Sequence, residues 1–81
     1  MRVDQFLSKT ALLKQRSAAK ILCDQGLVQV NGQYAKPSKQ ISIGDIIKID
    51  TPSGSKQYKI MLIPAGNIKR GERKIYYEEM L

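Results

Sequence analysis

The chain has 81 residues, which is enough for a single domain with one small core. Its 14 lysines and arginines against 7 acidic residues give a formal net charge of +7, and it has no histidine. Such an excess of positive charge favours a polyanionic partner, either nucleic acid or an anionic membrane face. Because histidine is the commonest general base, its absence argues against an enzyme.

Other classes of protein are excluded by what the sequence lacks. The single cysteine, Cys23, cannot form an internal disulfide, and we expect it to be a small buried side chain on a helix. The acidic residues form no metal-ligand cluster and there is no glycine-rich phosphate loop, so we expect no metal, no cofactor and no catalytic residue. No apolar run approaches the roughly 20 residues of a membrane span. We therefore expect a cytoplasmic protein with no membrane partner.

Two short helices are predicted at the start of the chain. In residues 2–8 the apolar positions have helical spacing and form a stripe of Val3, Phe6 and Leu7. Residues 10–15 either continue this helix or form a turn. A second helix is predicted from residue 15 or 16 to residue 25, and Gly26 ends it. Its apolar face is expected to consist of Ala18, Ile21 and Leu22. A weak cap is expected at Gln15, or a shift of the cap to Ser17.

A tight hairpin follows the second helix. Val28 and Val30 alternate with polar residues, which is the period of a strand. The pair Asn31-Gly32 is a strong hairpin signal, because both residues tolerate the positive φ of a type I′ turn. The return arm, residues 33–35, is short because Pro37 interrupts it.

Further strands are predicted beyond the hairpin. Isoleucines alternate on either side of Gly44-Asp45 and indicate a second pair of short strands, formed around Ile41, Ile43, Ile47 and Ile49. Residues 51–55 form a turn cluster, and the last strand is expected to contain Tyr58, Ile60 and Leu62. The element order predicts an α+β fold, with two short N-terminal helices packed on a small, mostly antiparallel sheet of four to five strands.

We expect a domain over residues 1–64 and a C-terminal tail over residues 65–81. The tail is basic over residues 69–74 and amphipathic over residues 75–81. The sequence leaves open whether this tail is ordered or takes up structure only on binding.

The net positive charge is concentrated in residues 1–43, which carry +5 of it because only Asp4 and Asp24 oppose the basic residues there. Arg16 and Lys20 are one helical turn apart and share a face, while Lys36 and Lys39 leave the hairpin near the end of that helix. Arg16 is the leading candidate for a phosphate contact, because a guanidinium can hold a phosphate through two hydrogen bonds. Arg2 is the next candidate, with pairing to Asp4 as the alternative role.

The aromatic residues do not form a row of stacking rings beside these basic residues. A protein that binds single strands generally uses such a row. The composition therefore favours recognition of a structured RNA through its shape and its phosphates.

Three segments taken in order resemble the S4-type RNA-binding domain. They are RVDQFL, then KQRSAAKILCDQGLVQVNGQYAKPS, then ISIGDIIKI, and the match to which they belong covers residues 1–50 without a gap. The chain is similar to the small, stand-alone, ribosome-associated group of this family. Members of this group bind the large ribosomal subunit when it carries a peptidyl-tRNA, and one branch assists C-terminal tailing of the stalled chain.

The resemblance implies contacts with ribosomal RNA or tRNA from Arg2, Arg16, Lys20 and the segment from Lys36 to Lys39. The full set of candidate RNA-binding residues is Arg2, Lys9, Lys14, Gln15, Arg16, Ser17, Lys20, Asn31, Gly32, Lys36 and Lys39. The expected function is non-enzymatic RNA binding on the large ribosomal subunit, in rescue or quality control of stalled ribosomes, with a quality-control elongation factor as a further partner. We expect a monomer. A protein-interaction adaptor and a binder of a tRNA or mRNA away from the ribosome remain alternatives.

Overall fold

Two helices precede a five-stranded sheet in the computed structural model, which describes residues 1–80. The elements are α1 (Val3–Lys9), α2 (Arg16–Asp24), β1 (Val28–Val30), β2 (Gln33–Tyr34), β3 (Ile46–Thr51), β4 (Gly54–Ile60), a 3-10 helix (Arg70–Ile75) and β5 (Tyr77–Met80). The strands are antiparallel throughout and are ordered β2-β1-β3-β4-β5. The predicted α+β class is confirmed.

The core lies between the helices and one face of the sheet. The predicted stripe on α1 is confirmed, because Val3, Phe6 and Leu7 are completely buried. The sheet contributes Val28, Val30, Ile47, Ile49 and Ile60. The predicted buried position of Cys23 on α2 is also confirmed.

The predicted apolar face of α2 is wrong. Ala19 and Cys23 are the buried residues of this helix, whereas Ile21 is 55% exposed and Ala18 and Leu22 are only partly buried. Apolar residues occur here in two short runs, 18–19 and 21–23, so more than one stripe is compatible with the helical period. The packing of α2 against α1 and β1 selects the stripe that contains Ala19 and Cys23.

The predicted strand at Ile41–Ile43 is wrong. Ile41 is buried, but Ile43 is 62% exposed, and residues 41–43 belong to none of the strands. A turn forms instead, in which the Asp45 carboxylate accepts a hydrogen bond from the Ser42 N–H (2.8 Å) and the Asp45 N–H donates to the Ser42 carbonyl (3.1 Å). A side chain that bonds to nearby backbone competes with strand pairing.

The hairpin at Asn31-Gly32 is confirmed. Both residues have positive φ, 53° and 82°, and Val30 pairs with Gln33 across the two-residue turn. The Asn31 side chain also ties the turn to β3. Its Oδ1 accepts from the Ile46 N–H (3.0 Å), and its Nδ2 donates to Asp45 Oδ1 (3.1 Å).

The predicted last strand ends earlier than expected, at Ile60, and it is not the last. The tail forms the 3-10 helix and then β5, which pairs with β4 from Gln57↔Met80 to Ile60↔Tyr77. The rings of Tyr58 and Tyr77 pack edge to face with centroids 5.5 Å apart. A tail strand therefore completes the sheet, while the division of the chain at residues 64 and 65 stays a prediction.

Replacing Ala11 with glycine should raise the free energy of unfolding by up to about 1 kcal/mol. Ala11 follows the C-cap of α1 with φ 58°, a left-handed conformation that costs a non-glycine residue roughly 1–2 kcal/mol. The added freedom of glycine in the unfolded chain offsets about 0.4–1 kcal/mol of that gain. Urea unfolding measures the difference.

Ala65→Gly is the matched control, because Ala65 is exposed and has no positive φ. We expect this control to lower the stability slightly. A loss of equal size in Ala11→Gly would contradict the strain assigned to Ala11.

Candidate nucleic-acid interface

Asp4 organises the basic surface at the start of α1. Its side chain is buried, and its Oδ2 lies 3.2 Å from Arg16 Nε and 3.2 Å from an Nη atom of Arg2. Its Oδ1 accepts a hydrogen bond from the Gln5 N–H (2.8 Å). One buried carboxylate therefore holds two guanidinium groups that lie 14 residues apart in sequence.

The segment 36–40 lies beside this cluster because it satisfies the first turn of α1. The Val3 N–H donates to the Lys39 carbonyl (2.8 Å), and the Asp4 N–H donates to the Pro37 carbonyl (3.3 Å). A backbone bridge also joins Arg2 and Gln40. These first-turn N–H groups have no partner within their own helix, so an external carbonyl stabilises the helix start. Lys36 and Lys39 are thereby brought next to the arginine pair.

The paired arginines keep donors available for a ligand. The side chains of Arg2 and Arg16 are 39% and 50% exposed, although each already contacts Asp4. Arg2 Nε is shielded from solvent and has no hydrogen-bond acceptor among residues 1–80. A guanidinium anchored on one side and open on the other is suited to an incoming phosphate oxygen. We call Asp4, Arg2, Arg16, Lys36 and Lys39 the Asp4 cluster.

Four other predicted residues lie on α2 or just before it. Lys20 is exposed one turn after Arg16, and Lys14 is exposed in the connection between the helices. Gln15 is the N-cap of α2 but makes no side-chain cap bond, as expected of a weak cap. The Ser17 hydroxyl donates to Gln15 Oε1 (3.3 Å) and does not replace it as the cap. RNA contacts by these four residues stay predictions.

Among residues 1–80, no side-chain hydrogen bond or ion pair joins Lys9 or the hairpin tip to the Asp4 cluster. Lys9 is at the opposite end of α1, where its Nζ donates to the Gly66 carbonyl (3.4 Å). The Asn31 carboxamide is already bonded to Asp45 and Ile46. An RNA contact at Asn31-Gly32 would therefore use backbone amides, and it stays a prediction.

Sequence reasoning missed two features of this surface and one group of basic residues outside it. It did not pair Asp4 with Arg16, although an acidic residue next to an apolar helix stripe was a signal. It gave no role to Tyr34, which is 75% exposed and lines a depression of about 300 Å³ together with Lys36 and Lys39. It also left Arg70, Arg73 and Lys74 out of the candidate set, because the tail was treated as separate.

The buried thiol of Cys23 is held in its neutral form. Burial, together with the nearby carboxylates of Asp4 and Asp24, raises the pKa of the Cys23 thiol from 9.0 to about 11. Because the folded protein binds this proton more tightly than the unfolded chain, the stabilisation is complete below pH 9.0. It is lost as the pH rises to about 11.

We expect the free energy of unfolding to fall more steeply between pH 9.0 and about 11 in the wild type than in Cys23→Ala. Because Cys23→Ala retains every other titrating group, it is the control for the wild type. Urea unfolding across this range measures both slopes. Parallel curves for the two proteins would contradict the assigned pKa.

Within residues 1–80, no group of three or more acidic, cysteine or histidine side chains could hold a metal ion. Likewise, none of the helices in that part of the chain is long and apolar enough to cross a bilayer. Two helices that precede an antiparallel sheet and present arginines around one buried carboxylate form a small α+β domain with a basic surface, the electrostatic footprint of the nucleic-acid-binding class.

The chain belongs to the S4 domain family, whose sequence model matches residues 1–47. It is 39% identical to the RQC P-site tRNA stabilizing factor of Helicobacter pylori strain J99, over 94% of this chain and 92% of that protein. It is 32% identical to the heat shock protein 15 homolog of Haemophilus influenzae, over 98% of this chain and 60% of that protein.

Two solved structures share the fold over the whole chain. Heat shock protein 15 of Vibrio cholerae, solved as a trimer, superposes with a TM-score of 0.89 at 32% identity and covers 99% of this chain and 81% of its own. The solution structure of the hypothetical protein HP1423 superposes with a TM-score of 0.87 at 36% identity and covers 100% of this chain and 98% of its own. The S4-type fold is therefore confirmed.

Proposed function

We propose that this protein is a non-enzymatic factor that binds structured RNA of the large ribosomal subunit together with a P-site tRNA, and that it acts in the quality control of stalled ribosomes. The Asp4 cluster is the observation that carries this proposal. Its two guanidinium groups contact a single carboxylate, and backbone hydrogen bonds hold the segment that carries Lys36 and Lys39 beside them, so the surface is strongly cationic.

The names of the relatives support the ribosomal assignment. The Helicobacter protein is named a stabilizing factor of P-site tRNA, and that relative matches nearly the whole of both chains. A protein of Halalkalibacterium halodurans with the same name is 35% identical over 91% of this chain. A shared name over the full length supports the transfer of function more strongly than the fold, since one fold serves many functions.

The proposed mechanism is placement of RNA without covalent chemistry. The Asp4 cluster neutralises phosphates, and release of their counterions makes binding sensitive to salt. The fixed shape of the helix starts and the hairpin selects a folded RNA surface. We infer a monomer in the cytoplasm, with ribosomal RNA, tRNA and a quality-control elongation factor as partners. Because the Vibrio relative was solved as a trimer, the oligomeric state of this protein should be measured.

Arg16→Ala together with Lys20→Ala should release the protein from large ribosomal subunits. The experiment is sedimentation of the tagged protein through a lysate gradient at low and at high salt. We expect the wild type to travel with large subunits at low salt and to leave them at high salt. Arg16→Ala alone should lower the salt slope of RNA binding by about one phosphate contact.

Lys48→Ala with Lys59→Ala is the matched control. It removes the same charge from the face of the sheet that points away from the core, since Lys48 and Lys59 alternate with the buried Ile47, Ile49 and Ile60. The control should stay bound to the subunits. If the wild type remains at the top of the gradient with free RNA, a tRNA or mRNA binder is the better assignment. If it remains there with a protein at every salt concentration, it is an adaptor.

A further inference from the structure

A second basic site, which is a groove, lies at the other end of α1 from the Asp4 cluster. It has a volume of about 410 Å³ and opens between the turn after α1 and the 3-10 helix. Its lining residues are Thr10, Ala11, Arg70, Arg73, Lys74 and Tyr77, with Gly71 completing the wall. Three of these side chains are cationic and none is acidic.

The cations of this groove have no carboxylate partner in the described part of the chain. Within residues 1–80, neither ion pair involves Arg70, Arg73 or Lys74. Arg73 Nε is shielded from solvent and lacks a hydrogen-bond acceptor there. A shielded donor without an acceptor is unfavourable unless a ligand supplies one. The guanidinium of Arg73, as part of the groove lining, is therefore held there without an internal acceptor at Nε.

The fold holds these cations in place on both sides. In a 3-10 helix, residues three apart lie on the same side, which places Arg70 and Arg73 together. After this helix, the Met61 N–H donates to the Tyr76 carbonyl (2.9 Å), and β5 pairs with β4. Before it, the Gly66 carbonyl accepts from Lys9 Nζ. The groove is therefore organised before any ligand arrives, which reduces the entropy cost of binding.

The groove is separate from the Asp4 cluster and shares no residue with it. Arg2 and Thr10 mark the two ends of α1, and a rise of 1.5 Å per residue separates them by about 12 Å. A single phosphate cannot contact both sites, whereas a folded RNA presents several strands to one protein surface.

We propose that this groove is a second phosphodiester-binding site, in which Arg70, Arg73 and Lys74 bind an RNA backbone segment different from the one bound by the Asp4 cluster. This inference rests on the proposed RNA-binding function. The groove is open and its functional groups are cations, so it binds phosphates without reading bases. The two sites together would fix the orientation of the protein on the RNA.

The test is the salt dependence of binding to a short fluorescent RNA duplex, measured by anisotropy with the full chain. The slope of log K against log salt is negative, and Arg70→Ala with Lys74→Ala should make it shallower by about 2, at roughly 0.9 per lost phosphate contact. Lys48→Ala with Lys59→Ala removes the same charge and should change the slope by less than half as much. Because the sites are separate, the loss caused by Arg16→Ala should add to the groove effect.

The outcomes separate this inference from the proposed function. If the groove variant behaves like the control while Arg16→Ala weakens binding, the second site is overturned and the proposed function stands. If the wild type fails to bind the duplex, the groove proposal is overturned, and the gradient experiment decides the proposed function.

Arg73→Gln, which retains most of the packing volume, should reproduce part of the slope loss, and an unchanged slope would count against the role of Arg73.

Discussion

Replacing Asp4 with asparagine should weaken RNA binding about tenfold, although removal of the carboxylate raises the formal net charge from +7 to +8. The reason is that Asp4 fixes the positions of two arginine side chains. Asp4 holds Arg2 and Arg16 at 3.2 Å each, and an amide at this position provides no charge to orient two guanidinium groups. Loss of preorganisation of about 1.4 kcal/mol corresponds to a factor of ten in affinity.

The same substitution should lower the free energy of unfolding by about 2 kcal/mol. Breaking a fully buried ion pair costs roughly 3–5 kcal/mol, and the arginines here are partly exposed, so we expect a smaller loss. The hydrogen bond from the Gln5 N–H is retained by the asparagine oxygen. RNA binding measured by anisotropy and stability measured by urea unfolding separate the two effects.

Asp24→Asn is the matched control, because Asp24 is exposed and makes no ion pair within residues 1–80. It raises the net charge by the same amount and should leave binding unchanged or slightly stronger. If Asp4 merely competed with phosphate for the arginines, Asp4→Asn would bind RNA more tightly than the wild type. That result would refute the positioning role.

Replacing Asn31 with alanine should lower the free energy of unfolding by about 2 kcal/mol. Asn31 has φ 53°, and alanine in this left-handed conformation costs roughly 1–2 kcal/mol more than asparagine or glycine. The substitution also removes the bonds to the Ile46 N–H and to Asp45. These bonds are exposed, so we assign them together about 1 kcal/mol. Thermal or urea unfolding measures the loss.

Asn31→Gly separates the two causes, because glycine tolerates positive φ but makes no side-chain hydrogen bond. We expect it to lose only about half as much stability as Asn31→Ala. RNA binding by both variants should be normal under conditions where they are folded. If stability is unchanged and RNA binding is lost, Asn31 is a direct RNA contact and its structural role is smaller than the geometry indicates.

Much of the fold followed from local patterns in the sequence. The stripe of Val3, Phe6 and Leu7 and the alternation of Val28 and Val30 depend only on the period of side chains along one element. The Asn31-Gly32 turn depends only on the residues that tolerate positive φ. These predictions were confirmed because each depends on a few neighbouring residues.

The wrong predictions involve competition between structures that the sequence allows equally. Ile41 and Ile43 alternate as in a strand, but the Asp45 carboxylate captures the Ser42 N–H and makes a turn. On α2, more than one apolar stripe fits the helical period, and packing against α1 and β1 buries Ala19 and Cys23. β5 was missed because its pattern, YEEM, has little apolar content, and β4 provides the pairing.

By itself the sequence determined two short helices, the hairpin, the cationic character of the molecule and its resemblance to S4-type domains. The spacing of apolar residues along each element, the residues that tolerate a tight turn and the count of charges are enough to predict those properties. Only the tertiary structure decided that Asp4 gathers Arg2 and Arg16, that segment 36–40 brings its lysines beside them, and that Arg70, Arg73 and Lys74 form a separate groove. These arrangements depend on hydrogen bonds and strand pairs between distant residues, such as Val3 with Lys39 and β4 with β5, which form only when the core brings those segments together.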